Sequence, residues 1–179
     1  MPARRSDLSN GDTRQEINVP QRHPLRLWVV RHGESSGNVA RDAAQAAGDA
    51  RIDIPERDVD VPLSALGHRQ GEALGNWFAS LPDDERPNLV LASPYRRAVE
   101  TAENSREAGG LASGTPRLLI DERLREKEFG ILDRLTRVGI EQQHPEQSAL
   151  RHDLGKFYHR PPGGESWCDV ILRLRSALD

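Results

Sequence analysis

Cysteine occurs only once in these 179 residues, at Cys168. A single thiol excludes an internal disulfide and any multi-cysteine zinc or iron–sulfur site, and the cytoplasm is the compartment to expect. The sequence lacks a run of about 18 apolar residues, which excludes a transmembrane helix. Residues Met1 to Pro24 lack the apolar stretch of a secretory signal. An excess of positive charge is lacking too: 25 basic residues stand against 28 acidic ones, a net of −3. Non-specific nucleic-acid binders usually lean the other way, so neither nucleic acid nor membrane is an expected partner. Lysine is scarce. Lys127 and Lys156 are the only two, which leaves 23 arginines among the basic residues. Arginine suits two-pronged recognition of oxyanions. A codon bias produces the same excess, so composition alone identifies no phosphate enzyme.

What is present fits one domain. Residues 1–24 hold Pro, Asn, Asp, Ser, Arg and Gln with almost nothing to bury, the composition of a disordered tail. The folded domain is expected over 25–179. Leu25 to Val30 is a short apolar run bounded by Pro24 and Gly33, which predicts a buried strand. Val39 to Ala47 predicts a helix and Gly48 to Pro62 a loop. Ser64 is placed to cap a helix over Ala65 to Ser80, with Leu66, Leu74, Trp77 and Phe78 toward the core. Asn88 to Ala92 predicts a second strand. A helix then starts at Ser93-Pro94 and stops at Gly109-Gly110. Arg117 to Ile120 predicts a third strand. Leu132 to Gln143 and Ala149 to Tyr158 read as helical, and Glu165 to Leu178 as a last helix. Strands alternating with helices predict an α/β fold, a three-layer α/β/α sandwich with a mainly parallel central sheet.

In open α/β sheets, ligands bind beyond the carboxyl ends of the strands. The first expected strand delivers Arg31-His32-Gly33-Glu34 there, with Asn38 following. The second delivers Ser93-Pro94-Tyr95-Arg96-Arg97, and the third Asp121 to Glu126. Together these hold a histidine, arginines and carboxylates. Arginine grips phosphate oxygens, a neutral imidazole attacks phosphorus, and a carboxylic acid protonates a leaving alkoxide. His68, His144, His152 and His159 lack the i, i+4 spacing of a metal pair and read as exposed. Cys168, in an apolar helix, reads as an inert core thiol.

Arg31-His32-Gly33-Glu34 with Asn38 resembles the signature of the histidine phosphatase, or phosphoglycerate mutase-like, superfamily. Four further segments repeat the family's order: Pro62 to Gln70, Ser93 to Ala102, Leu124 to Gly130, and Pro162 to Ser166. The resemblance implies that His32 is the nucleophile and forms a phosphohistidine. It implies that Arg31 and Arg97 grip the phosphoryl oxygens, with Asn38 adding a polar contact. Glu126 is the implied general acid and then general base, with Glu122 and Glu128 as competing neighbours. Gly33, Glu165 and Ser166 are expected at the site rim. The implied chemistry needs no metal and no cofactor, because arginines neutralise the phosphate charge. The implied partner is a small phosphorylated metabolite or a phosphoprotein.

The sequence departs from the family pattern in three places. The family carries a second active-site histidine on a strand after the last helix, and this sequence reaches Asp179 inside that helix. The domain is therefore expected to continue beyond Asp179, with the last strands missing. On that helix Trp167, Val170, Ile171, Leu174 and Leu178 share a face whose burial would be worth roughly 10 kcal/mol. Lys127 stands where sugar-phosphate-specific mutases often have arginine. Asp133-Arg134 follow Gly130 where many members have a second glycine. Phosphomonoester hydrolysis is the favoured reaction. Phosphoglycerate mutase-type transfer and a non-catalytic phosphate-binding or regulatory role are the alternatives.

Overall fold

The computed structural model describes residues 24–110 and 116–178. The expected disordered tail, apart from Pro24, lies outside them. Six α-helices and two strands follow the order α1 (Ser36–Ala47), α2 (Ala65–Ser80), β1 (Leu89–Ala92), α3 (Arg96–Ala108), β2 (Arg117–Ile120), α4 (Arg137–Gln143), α5 (Pro145–Tyr158) and α6 (Trp167–Leu178). β1 and β2 pair in parallel, Leu89 with Arg117 through Ala92 with Ile120, and α3 is the crossover between them. The class is α/β with parallel strands. Among the described residues no helix is long and apolar enough to cross a membrane.

Local chemistry accounts for the helix starts. The Ser35 hydroxyl accepts from the Asn38 N–H while the Asn38 carboxamide accepts from the Ser35 N–H, a reciprocal capping box at 3.1 Å each. Ser64 caps α2 through the Gly67 N–H, and Thr136 caps α4 through the Gly139 N–H. At α6 the Ser166 hydroxyl accepts from the Asp169 N–H, and Asp169 Oδ2 accepts from the Ser166 N–H at 2.7 Å. The cap at Thr136 corrects the expected helix over Leu132 to Gln143. Gly130–Leu132 forms a 3₁₀ turn, and Arg134 takes a left-handed φ of 57°, which an α-helix does not admit.

Leu25 to Val30 is not a strand. A strand needs a neighbour to complete its ladder, and among the described residues its backbone pairs with none. Leu25 and Val29 are 94% and 89% exposed, so the expected burial fails as well. The segment is held instead by Trp28, whose ring meets Trp77 edge-on at 5.1 Å and Phe78 at 5.9 Å. Among the described residues the sheet therefore has two strands, and Leu89, Leu91, Leu119 and Ile120 are each at least 39% exposed.

The buried face of α2 also differs from expectation. Phe78 is buried as expected, but it is Gly67, Gly71 and Gly75 that face inward with it, while Leu66 and Trp77 stay 41% and 44% exposed. Glycines four apart let α3 lie directly against the helix backbone. A Cβ at Gly75 would stand 2.2 Å from the Ser105 carbonyl oxygen. Close packing of two backbones outranks the larger side chains here. On α6 only Val170 of the five expected apolar residues is fully buried, and Leu178 is exposed, because the helix packs against α5 and the Glu122–Leu124 turn rather than against a sheet. Cys168 is half-buried. His159 is buried, not exposed, with Nε2 3.3 Å from Gln147 Oε1.

Candidate active site

The loop Arg31 to Ser35 runs into the N-terminus of α1, and three residues from two segments pin it there. The Gly33 N–H donates to the Thr101 hydroxyl at 3.0 Å, and the Glu34 N–H donates to Gln70 Oε1 at 2.7 Å. The Ser64 hydroxyl donates to Glu34 Oε1 at 2.6 Å, and the Ser64 N–H donates to the Glu34 carbonyl. Gly33 lies on the first turn of α2 so closely that a Cβ would stand 2.5 Å from the Gly67 carbonyl oxygen. Gly33 is thus beneath the site as a contact point rather than a rim group. The Pro62–Gln70 and Ser93–Ala102 segments, matched only as motifs in the sequence, are the brackets that hold the histidine loop.

His32 is half-buried, and its Nδ1 lies 2.7 Å from the Gly33 carbonyl oxygen. A carbonyl only accepts, so Nδ1 carries the proton and Nε2 keeps its lone pair. Burial pushes the imidazole below its ordinary pKa. The bond to Gly33 opposes that, the Arg97 and Arg31 charges reinforce it, and the Glu126 carboxylate opposes it. The ring is held neutral with one nitrogen free.

Arg31, His32 and Asn38 line one cavity of about 280 Å³, together with Glu34, Arg41, Asp42 and Gln70. Asn38 Oδ1 is committed to the helix cap, which leaves its amide NH2 to donate into the cavity. Arg97 is placed differently. It is buried outside the cavity wall, and its Nη1 donates to the Asp58 carbonyl at 2.7 Å and to Asp58 Oδ1 at 3.0 Å. Its guanidinium also lies 4.8 Å over the Tyr95 ring, and its Nη2 is 3.8 Å from Glu126 Oε2. Arg97 therefore links Glu126 to the surroundings of His32. Of the three candidate carboxylates, Glu126 is the one whose charge bears on His32, whereas Glu128 accepts from the Tyr95 hydroxyl at 3.2 Å.

Glu165 and Ser166 do not line this cavity. Ser166 caps α6. Glu165 accepts from Arg125 Nη2 at 2.6 Å, from Arg173 Nε at 3.0 Å and from the Glu128 N–H at 3.1 Å. Burial works against this carboxylate, but the Arg173 and Glu128 bonds and the Arg173 and Arg125 charges outweigh it and hold its pKa below the usual range. Arg173 continues the chain of contacts, donating from Nη1 to the Arg123 carbonyl at 2.7 Å and from Nη2 to the Glu126 carbonyl at 3.3 Å. Glu165 thus shapes the site indirectly, by fixing the Arg123–Glu128 backbone.

A family model for the histidine phosphatase superfamily (branch 1) matches residues 27–179. The chain belongs to that superfamily. It is 32% identical to a probable phosphoglycerate mutase, GpmB, of Yersinia enterocolitica over 157 residues, which are 87% of this chain and 62% of that protein. It is 30% identical to the fructose-2,6-bisphosphatase TIGAR B of Danio rerio, covering 85% of this chain and 51% of that protein. Among solved structures, a mycobacterial glucosyl-3-phosphoglycerate phosphatase in complex with VO3 matches with a TM-score of 0.58 at 30% identity. That match covers 82% of this chain and 59% of the other. The chain therefore spans about half to three fifths of the length of these relatives. Relatives in this superfamily include both phosphatases and mutases.

Asp58 and Thr101 are the site residues that sequence reasoning missed. Asp58 opens a 3₁₀ turn, Asp58–Asp60, inside a stretch whose sequence reads only as a loop. Thr101 was visible inside the Ser93–Ala102 motif, where its spacing of i, i+4 from Arg97 puts both on one helix face. Its hydroxyl donates to the Arg97 carbonyl at 2.7 Å and accepts from the Gly33 N–H. Thr101→Val keeps the shape but leaves the buried Gly33 N–H without an acceptor. The expected loss of stability is about 1–3 kcal/mol, read by urea denaturation, with Thr101→Ser close to wild type.

Proposed function

We propose that this protein hydrolyses phosphomonoesters through a phosphohistidine at His32. The observation that carries the reading is the set of His32: Nδ1 protonated on the Gly33 carbonyl, Nε2 free, and a polar cavity shared with Arg31 and Asn38. Nε2 attacks phosphorus, and the bond from phosphorus to the alkoxide oxygen breaks. Glu126, as a carboxylic acid, gives its proton to that oxygen. Water then attacks the phosphohistidine, Glu126 takes the water's proton, and the P–N bond breaks to release inorganic phosphate. Arg31 and the Asn38 amide offset phosphoryl charge within the cavity. Arg97 acts from beside it, keeping imidazole protonation unfavourable and drawing Glu126 toward the site. A small phosphorylated metabolite suits the cavity volume better than a phosphoprotein segment does.

The test is incubation with p-nitrophenyl phosphate, an alkaline quench and peptide mapping. The phosphoryl group is expected on the peptide containing His32, with inorganic phosphate accumulating. A labelled His32 without phosphate release would favour mutase-type transfer. Label on any other residue would refute the assignment. The lowered imidazole pKa also fixes a pH dependence. His32 must be neutral to attack, so kcat/KM is lost as pH falls through its pKa in the free protein. The acid limb is therefore expected below the ordinary imidazole value of about 6.5. A limb above that value would contradict the burial argument.

A further inference from the structure

Arg97 has a partner that the proposed reaction does not use. Its Nη1 carries two N–H groups, and Asp58 accepts both, on its carbonyl at 2.7 Å and on Oδ1 at 3.0 Å. Asp58 Oδ2 lies 3.5 Å from Nη2 as well. Glu126, at 3.8 Å from Nη2, is the more distant carboxylate. The two halves of the Asp58 pair are not equally free to move. The Arg97 side chain is 7% exposed and packs on the Tyr95 ring, whereas the Asp58 side chain is 35% exposed. The guanidinium cannot reach water without unpacking, but the carboxylate can turn out into it. Asp58 is the displaceable half.

The turn that carries Asp58 is also held from elsewhere. Arg134 donates from Nη1 to the Ile54 carbonyl at 3.0 Å and from Nη2 to the Glu56 carbonyl. Arg57 pairs with Asp60 at 2.7 Å. Those two charges satisfy each other, which leaves the Asp58 carboxylate as the turn's counter-charge for Arg97.

Arg97 matters to an anion at His32. Of the charges that bear on the His32 ring, that of Arg97 weighs most, ahead of Arg31. A phosphoryl group bound there lies in the same field. Whatever offsets Arg97 lowers the affinity for that group. The Asp58 carboxylate is such an offset, and it occupies donors that a phosphoryl oxygen would use.

We infer that Asp58 is a positioning residue for Arg97, a counter-ion that holds the guanidinium beside the His32 cavity in competition with bound phosphate, and that it limits how tightly phosphate is held. The inference rests on the phosphatase reading only in taking the His32 cavity as the place where phosphate binds. In a hydrolase the effect falls on the last step, because phosphate that binds too well leaves slowly and release can limit turnover.

The test measures binding of inorganic phosphate to the whole chain by calorimetry. Asp58→Asn keeps a side-chain oxygen and removes the charge, and it is expected to bind phosphate about tenfold tighter than wild type. Asp58→Glu keeps the charge and is expected to stay within about threefold of wild type. In Asp58→Asn/Arg97→Gln the gain is expected to vanish, since it is made through Arg97. A residue that only braced the fold would give the opposite sign, because a loosened Arg97 weakens phosphate binding. Equal or weaker binding in Asp58→Asn therefore overturns the inference, and so does a gain that survives in the double variant. Stability gives a second readout. Asp58→Asn leaves the buried guanidinium without its counter-ion, so phosphate is expected to raise its urea midpoint more than that of wild type. A variant that phosphate stabilises no more than wild type overturns the inference too. Failure of the phosphatase reading looks different. Chains that bind phosphate with these differences yet release none from p-nitrophenyl phosphate refute hydrolysis and uphold the role of Asp58. Wild-type and Asp58→Asn chains that bind no phosphate overturn both.

Discussion

Replacing His32 with alanine is expected to lower phosphatase turnover by at least about 10³-fold, because no other group in the cavity can form the covalent intermediate. Of the other side chains lining it, the guanidiniums of Arg31 and Arg41 are not nucleophiles, and Glu34 and Asp42 are engaged by Ser64 and Arg41. The same substitution is expected to leave stability within about 1 kcal/mol, the ordinary range for a change that breaks no buried network. The imidazole's recorded bond is to its own neighbour, Gly33, while the loop is held from outside by Thr101, Gln70 and Ser64. Steady-state kinetics and urea denaturation on the same preparation separate the two effects. Wild-type-like turnover in His32→Ala would sink the mechanism. Loss of turnover together with unfolding would instead show that the ring supports the loop. His32→Asn, which restores a hydrogen bond to the Gly33 carbonyl without a nucleophile, would then recover the fold and not the activity.

The sequence made the local elements legible where their signals are local. Ser64 reads as a cap because a hydroxyl three residues before an amide N–H determines its own geometry, whereas Thr136, which caps α4 in the same way, is hidden inside the apolar pattern that predicts a helix over Leu132 to Gln143. β2 falls on Arg117–Ile120 as expected, and β1 begins one residue later than expected. Features that depend on a neighbour were not legible. Leu25 to Val30 has the composition of a strand, but a strand is a relation between two segments. α2 was read by its large side chains, whereas its buried face is defined by Gly67, Gly71 and Gly75, which make no contribution to a hydrophobic stripe. The site shows the same division. His32, Arg31 and Asn38 were legible as a motif and share a cavity. Arg97 was assigned to the phosphate, yet the structure ties it to Asp58, a residue thirty-nine positions away that no local pattern links to it. Glu165 was legible as a motif member, but its partner Arg173 on α6 was not.

The Glu165–Arg173 pair is expected to carry the largest stability effect of any single side chain outside the apolar core. Both groups are nearly buried, with side chains 12% and 11% exposed. A buried pair is weak evidence of net stabilisation when both partners are present, since each charge has left water. Removing one partner is a different matter. Glu165→Gln strands the Arg173 guanidinium and weakens the Arg125 and Glu128 contacts, and the expected cost is about 3–5 kcal/mol. That is a large fraction of an ordinary domain's stability. The pH dependence has a definite sign. The folded carboxyl titrates below its unfolded value, so its contribution is fully present above the unfolded pKa of about 4.3 and disappears as pH falls through the folded one. Urea denaturation at pH 7 is therefore expected to separate wild type from Glu165→Gln widely, and the gap is expected to narrow below about pH 4. An equal gap at both pH values would mean that the lost stability is packing and not charge. The consequence for chemistry follows from the same side chain. Arg173 holds the carbonyls of Arg123 and Glu126, so loosening it frees the backbone that carries Glu126, the proposed acid. At denaturant-free concentrations where Glu165→Gln is still folded, kcat is accordingly expected to fall while KM for a small ester stays near wild type. Arg31 and Asn38, the groups proposed to bind phosphate, lie on the His32 loop and α1, which Glu165 does not touch.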